Sequence, residues 1–334
     1  MTSSPITFLH GKLEIVLVTY NRASSLDSTL RQLAASPFNK ANVTVYDNCS
    51  TDATPDICRK YCDKLHFMSV VRHEKHIGTN AGYLHAVENV GAEYGWILND
   101  DTILDGTTFD QLIKAVISDS YDMLYVGSIA ALDWHGDEST TMAQLVAEKA
   151  RVYTAFSLWP ALIFKTSLYD DACIVKGYRL ANCVYPNFPF VRLLVEMDAR
   201  VYVSAKQVVR TETNSINFDG LYWFAAWINY CQTIKQKELR ERTIDEVTHN
   251  YGFFKTLVFL IAFDETRGSI LFWSKIVDII WGLPSCQRMK FLILIPLMVF
   301  PLPHTMLKKM RQRYLEEWGH SGDVRPFLPD AKSI

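Results

Sequence analysis

The stretch Trp96-Ile97-Leu98-Asn99-Asp100-Asp101-Thr102-Ile103-Leu104 drives three large apolar residues straight into an amide and two carboxylates, then turns apolar again. Such a run predicts a buried strand that delivers acids to its exposed C-terminal end. In open α/β sheets that end is where ligands bind. Two adjacent aspartates repel each other, so a site that keeps both ionised usually offers them a cation. A hard divalent ion carrying a phosphorylated ligand suits. A solvated loop after a strand would carry the same tripeptide, so the neighbouring segments have to decide.

Upstream, Glu14-Ile15-Val16-Leu17-Val18-Thr19 is a β-branched run that passes at once into Tyr20-Asn21-Arg22, the pattern of a central parallel strand and its loop. Ser24 or Ser25 can cap a helix with the apolar face Leu26, Leu30 and Leu33, and Pro37 lies beyond its end. Val43 to Tyr46 predicts a second strand running into Asp47-Asn48-Cys49-Ser50-Thr51-Asp52. Thr54 and Pro55 open the next helix, which carries Ile57, Tyr61 and Leu65. Phe67 to Val71 is a third strand, left by Arg72-His73-Glu74-Lys75-His76-Ile77-Gly78. A helix follows from Asn80 to Val90, and Gly95 punctuates before the Trp96 strand. Alternating β and α elements with polar residues at each strand's C-terminal end predict a doubly wound nucleotide-binding sheet. No Gly-x-Gly-x-x-Gly follows the first strand and no P-loop occurs, which weakens the dinucleotide and P-loop readings.

Downstream, a helix is expected from Phe109 to Ile117, a strand at Met123 to Val126, a helix around Val191 to Leu194 and a strand at Val201 to Val203. Hydrophobic residues make up 49% of the 334, which supports a large core and excludes global disorder. A formal net charge of −2 gives no electrostatic case for nucleic acid. Seven scattered cysteines lack zinc spacing and are expected as reduced thiols in a cytoplasmic protein. Met1 to His10 has no signal-peptide pattern.

After Asn214 the composition changes, which sets expected domains at 1–215 and 216–334. Leu221 to Ile234 is an aromatic helix, Phe253 to Phe263 an apolar run, and Phe291 to Pro303 an apolar stretch too short and proline-broken to span a bilayer. Arg288 and Lys290 precede that stretch, and Lys308, Lys309, Arg311 and Arg313 follow it. Apolar residues beside cations suit an anionic membrane surface, so a peripheral location on the inner face of the cell membrane is expected. A buried helical hairpin with a solvated basic face is the other possibility.

Val18-Thr19-Tyr20-Asn21-Arg22, Tyr46 to Asp52, Arg72 to Gly82 and Asn99-Asp100-Asp101 together resemble, in order and spacing, a family 2 glycosyltransferase of the GT-A fold. Phe164 to Ser167 and Tyr185 to Asn214 look most like the abequosyltransferase-type branch of bacterial polysaccharide enzymes. The resemblance implies an α/β fold with a mostly parallel central sheet flanked by helices, here with a C-terminal helical extension. It implies a sugar donor activated by a nucleoside diphosphate and a glycan acceptor, lipid-linked in O-antigen or capsule assembly. Thr19, Tyr20, Asn21 and Arg22 would line the nucleotide pocket. Asp47 would accept hydrogen bonds from a uridine, cytidine or guanosine base, with Asn48, Ser50 and Asp52 shaping its loop. Arg72, His76 and Gly78 would approach the nucleotide and diphosphate. Asn99-Asp100-Asp101 would be the metal-binding element, with Asp101 the direct ligand of Mn2+ or Mg2+ and Asp100 reaching the sugar or a metal-bound water.

The chain departs from the family where an acidic pair usually precedes the helix at Val191 to Leu194. Asn187-Phe188-Pro189-Phe190 stands there, and asparagine cannot take a proton at neutral pH. Candidate bases are Asp133, His135 and Asp137, then Glu196 and Asp198. Arg210 is the candidate for stabilising the leaving diphosphate. A catalytically silent nucleotide-sugar-binding or scaffold subunit is the alternative. A nucleotidyltransferase is set aside, because the glycine-rich basic loop after the first strand is missing.

Overall fold

The computed structural model describes residues 9–127, 138–148, 152–156, 158–181, 186–211, 220–232, 234–250 and 269–292, together with 305 and 309. The chain divides into two compact units, Met1–Glu212 and Thr213–Ile334, where composition alone suggested a break at 215.

The first unit is a sheet with helices on both faces. Its opening half runs β1 (Leu13–Thr19), α1 (Ala23–Ala35), β2 (Asn42–Asp47), α2 (Thr54–Cys62), β3 (Met68–Arg72), α3 (Thr79–Glu88) and β4 (Tyr94–Asn99). After β5 (Thr102–Leu104) and α4 (Phe109–Ser118) come β6 (Met123–Tyr125), β7 (Glu138–Thr141), α5 (Met142–Glu148) and α6 (Val152–Ala155). The unit closes with β8 (Leu162–Lys165), α7 (Asp171–Arg179), α8 (Phe188–Glu196), β9 (Arg200–Val203) and β10 (Val209–Thr211).

The eight-stranded sheet has the order β3-β2-β1-β4-β8-β6-β9-β7. Neighbours run parallel from β3 through β4 and between β6 and β9, while β8 is antiparallel to β4 and β6, and β7 to β9. All seven residues of β1 are buried. Ile15 and Leu17 pack with Leu26, Leu30, Leu33 and Trp96 on one face, and Val16 and Val18 with Leu84, Ile97, Trp159 and Phe190 on the other. A strand sandwiched on both faces must be apolar throughout, which is why Glu14 to Thr19 shows no alternation. Each fully buried leucine of the α1 face contributes about 1.5–3 kcal/mol.

Register decides the site. Thr19 pairs with Asp47, Asp47 with Arg72, and Val18 with Asn99. The C-terminal ends of the four strands therefore share one edge. β1 lies between β2 and β4, the reversal of strand order beside which ligands bind in such sheets.

Two local expectations are corrected. Gly95 does not punctuate before a strand but lies inside β4, where a Cβ would come within 2.7 Å of Phe164 Cζ. Neither Ser24 nor Ser25 caps α1: the helix starts at Ala23, whose N–H donates to Asp52 Oδ2 at 3.0 Å. Arg210 itself lies within a strand, Val209 to Thr211, that pairs with β5 in a separate antiparallel sheet.

The second unit contains the helices Gly220–Gln232, Lys237–Asn250, Ile270–Gly282 and Ser285–Leu292. Trp227 is fully buried and its indole N–H donates to the Thr243 carbonyl at 3.2 Å. Among the described residues no helix is long and apolar enough to cross a membrane. The apolar runs at 253–263 and 293–303 lie outside the described residues.

Candidate active site

The loop after β2 is built around Asp47, whose side chain is 2% exposed. Its Oδ1 accepts the Ser50 N–H at 2.8 Å, and its Oδ2 pairs with Arg72 Nη1 at 2.7 Å. Arg72 Nη2 also donates to the Ser50 carbonyl at 2.7 Å, closing a ring. The expected contact of Asp47 with a base is thus preceded by two internal partners, and any base would use the remaining lone pairs. Asn48 Oδ1 accepts the Ile77 N–H at 2.9 Å, and Asn48 Nδ2 donates to the Gly78 carbonyl at 3.2 Å. Gly78 has φ +88, a conformation that favours glycine, so the residue is required by the turn into α3.

Asn21, at φ 52, stitches the loops after β1 and β2 together. Its N–H donates to Ser50 Oγ at 2.9 Å, and its Oδ1 accepts the Thr51 N–H at 2.7 Å. Asp52 accepts the N–H of Ala23 and of Thr54, each at 3.0 Å, and so caps the starts of two helices. Tyr20 and His76 are exposed at this edge with ring centroids 4.2 Å apart.

The acidic turn is held differently. Thr19 Oγ1 donates to the buried Asp100 Oδ2 at 2.8 Å. Arg22 bridges the pair, with Nη1 3.2 Å from Asp100 Oδ1 and Nη2 2.7 Å from Asp101 Oδ2. Burial pushes the Asp100 carboxyl up to about 6, against the pull of Arg22 and Thr19, and the charge of Asp101 adds to the rise. Asp101 Oδ1 is buried without a hydrogen-bond partner. Such an orphaned acceptor costs about 1–3 kcal/mol if nothing meets it, so this oxygen fits a cation ligand. Among the described residues no three His, Cys, Asp or Glu side chains converge. A cation here would hold at most the two aspartates and complete its shell with a diphosphate and water, all oxygen, as Mn2+ or Mg2+ accepts.

Two supporting residues escaped the sequence reading. Thr29 Oγ1 donates to the Asp100 carbonyl at 2.8 Å and lies within donor reach of the Thr102 carbonyl at 3.1 Å, holding the turn's backbone. A hydroxyl among Leu26, Leu30 and Leu33 on the apolar face of α1 was the available signal. Tyr83 donates to Asn99 Oδ1 at 2.6 Å and stacks on Trp159. That bond orients the Asn99 amide so that its NH2 is left to donate to a ligand. Burial raises the Tyr83 phenol well above its ordinary range and keeps it a donor. No periodicity marked it.

Arg210 is exposed on β10, paired opposite Ile103 just past the acidic turn. Asn187 is buried at the start of α8 and donates to the Phe156 carbonyl at 3.1 Å. Glu196 and Asp198 fail as bases at this site. Glu196 ends α8 and Asp198 lies in the turn before β9, at the sheet edge opposite Asp100: Val201 pairs with Met123 while Val203 pairs with Tyr125. Glu196 pairs with Arg192, and Asp198 accepts the Ala143 N–H at 2.9 Å to cap α5. Asp133, His135 and Asp137 lie outside the described residues.

Residues 14–168 match the model of the glycosyl transferase family 2, a span that covers β1 through β8 and the whole edge described above. The fold is GT-A, and the family match over that span supports a glycosyltransferase. No curated protein matches the chain by sequence. Among solved structures, S. aureus TarS 1-349 is similar with a TM-score of 0.61 and 18% identity, over 96% of this chain and 97% of that one. The same protein in complex with UDP-GlcNAc matches at 0.61 and 16% over the same shares. The mannosyltransferase PcManGT from Pyrobaculum calidifontis, in complex with GDP-Man and Mn2+, matches at 0.51 and 15% over 86% of this chain and 85% of that one. At these identities the likeness carries the fold.

Proposed function

We propose that this chain transfers a sugar from a nucleotide-diphosphate donor to a lipid-linked glycan at the cytoplasmic face of a bacterial membrane, as in O-antigen or capsule assembly. The observation that carries the reading is the common edge: the Asp47–Arg72 ring, the Gly78 turn and the Asn99-Asp100-Asp101 turn stand side by side in strand register. Neighbours of the same fold bound to UDP-GlcNAc and to GDP-Man support a nucleotide-sugar donor. Phe164 to Ser167 and Tyr185 to Asn214 carry the likeness to the abequosyltransferase-type branch.

In this reading the loops after β1 and β2 hold the nucleoside, and Asn99 donates its amide to the donor. Asp101, through Oδ1, would hold Mn2+ or Mg2+, whose charge would neutralise the departing nucleoside diphosphate. Arg210 adds a second positive charge beside that turn. With Glu196 and Asp198 at the opposite edge, the proton acceptor falls to Asp133, His135 or Asp137, in the segment between Gly127 and Glu138. Membrane contact is supported by the helix Ile270–Gly282, whose exposed stripe is Ile270, Trp273, Val277 and Trp281. Arg288 lies over the Trp281 ring at 5.9 Å, the pairing of tryptophan and cation that suits a headgroup region.

Donor hydrolysis tests the activity. With Mn2+ present, the chain should release nucleoside diphosphate from one of the common donors, and Asp101→Ala should lower that rate by about a hundredfold or more while the protein stays folded. The buried Asn187, where an acid is customary, favours the silent-subunit alternative, and equal inactivity of wild type and variant across all common donors would establish it. The membrane reading predicts that the full chain floats with anionic vesicles and that Trp273→Ser/Trp281→Ser does not; equal flotation of the two would sink it.

A further inference from the structure

Arg22 occupies an unusual place for a residue expected to line a nucleotide pocket. It stands at the N-cap position of α1, directly after Asn21 in the left-handed region, and its guanidinium spans Asp100 Oδ1 and Asp101 Oδ2. Of the four oxygens of the pair, Thr19 takes a third, and only Asp101 Oδ1 is left buried and unpartnered. No other acceptor holds the guanidinium among the described residues, and its side chain is 41% exposed, so a path into solvent is open.

A guanidinium does not lose its proton at any ordinary pH. It can give up a carboxylate only by moving. A divalent ion that takes Asp101 as ligand would place two positive charges within a few ångströms of the Arg22 fork, where they repel strongly at the low effective dielectric of a half-buried site. The two cations therefore compete for the same carboxylate.

We propose that Arg22 is a resident counter-ion of the aspartate pair, and that metal entry at Asp101 and release of Arg22 are a single exchange. The proposal rests on the metal-using reading given above. Its consequence is that the chain without a nucleotide binds metal weakly. A diphosphate relieves the competition twice over, since it adds oxygen ligands for the metal and offers the freed guanidinium a planar, bidentate anion. Metal and nucleotide then bind cooperatively because Arg22 charges a cost only to the first to arrive.

The test is Mn2+ binding to the full chain, followed by the loss of the free-ion electron paramagnetic resonance signal at about pH 8, where carboxylates are mostly ionised. Without nucleotide, Arg22→Gln should bind Mn2+ about tenfold tighter than wild type, and added UDP should improve its affinity less than it improves that of wild type. Asp101→Asn should abolish binding in both backgrounds. Arg22→Gln binding no tighter than wild type, with an unchanged circular dichroism spectrum, overturns the exchange. Should Arg22→Gln not fold, Arg22→Lys carries the test: a compact ammonium lacks the planar fork that meets the two carboxylates with separate nitrogens, so a smaller gain in the same direction is expected and no gain overturns the proposal. If wild type binds no Mn2+ even with UDP, the metal-using reading itself fails. If it binds with UDP and the variants show no gain, only the exchange fails.

Discussion

The Asp47–Asp52 loop and the Asn99–Asp101 turn stand at the same sheet edge and are both rich in carboxylates, yet one is finished and the other is not. In the loop all four carboxylate oxygens of Asp47 and Asp52 have protein partners: Ser50, Arg72, Ala23 and Thr54. In the turn one oxygen of Asp101 has none, and burial pushes the Asp100 carboxyl up to about 6. Satisfied carboxylates stabilise a shape. Unsatisfied ones store an interaction for a ligand. The difference assigns the loop to positioning and the turn to charge chemistry.

Two substitutions press on that contrast, the larger first. Asp47→Ala should cost about 2–3 kcal/mol in denaturant unfolding, since it strands the buried Ser50 N–H and releases Arg72, whose half-exposed side chain discounts the ion-pair share. A loss below 0.5 kcal/mol, on the scale of an ordinary surface change, would mean that the loop does not depend on its acid.

Asp100→Asn should act in the opposite direction. The folded pKa of Asp100 lies above its value near 3.9 in the unfolded chain, so the folded state holds the extra proton between about pH 4 and 6. The stability this group contributes is present below pH 4 and is lost as pH rises through 6. With chelator present, the stability of Asp100→Asn relative to wild type should therefore increase by about 2 kcal/mol from pH 4 to pH 7.5. A pH-independent difference between the two would show that Asp100 is not desolvated in the folded chain.

The same contrast explains how much could be seen in the residues beforehand. Strands β1, β2 and β4 were legible because strands covered on both faces need unbroken apolar runs, and such runs end visibly in Thr19, Asp47 and Asn99. The acidic turn was legible because three polar loops end strands beside it; two adjacent aspartates after a buried strand suit a solvated loop as well. Tyr83 and the cap on α1 were not, because each depends on a partner distant in sequence: Asn99 for the first, Asp52 for the second. Glu196 and Asp198 misled for a related reason. An acid near an expected helix looks available until the sheet register shows at which edge that helix ends.

The sequence by itself determined the α/β class, the central position of the first strand, the three polar loops and the acidic turn, since hydrophobic periodicity and turn chemistry are local. Only the tertiary structure decided that Arg22 belongs to the aspartates rather than to an open pocket, that Asp47 is already partnered, and which oxygen of Asp101 is left free. Those are questions of which charges meet in space, and a carboxylate's partner is chosen by strand register and burial, not by its neighbours along the chain.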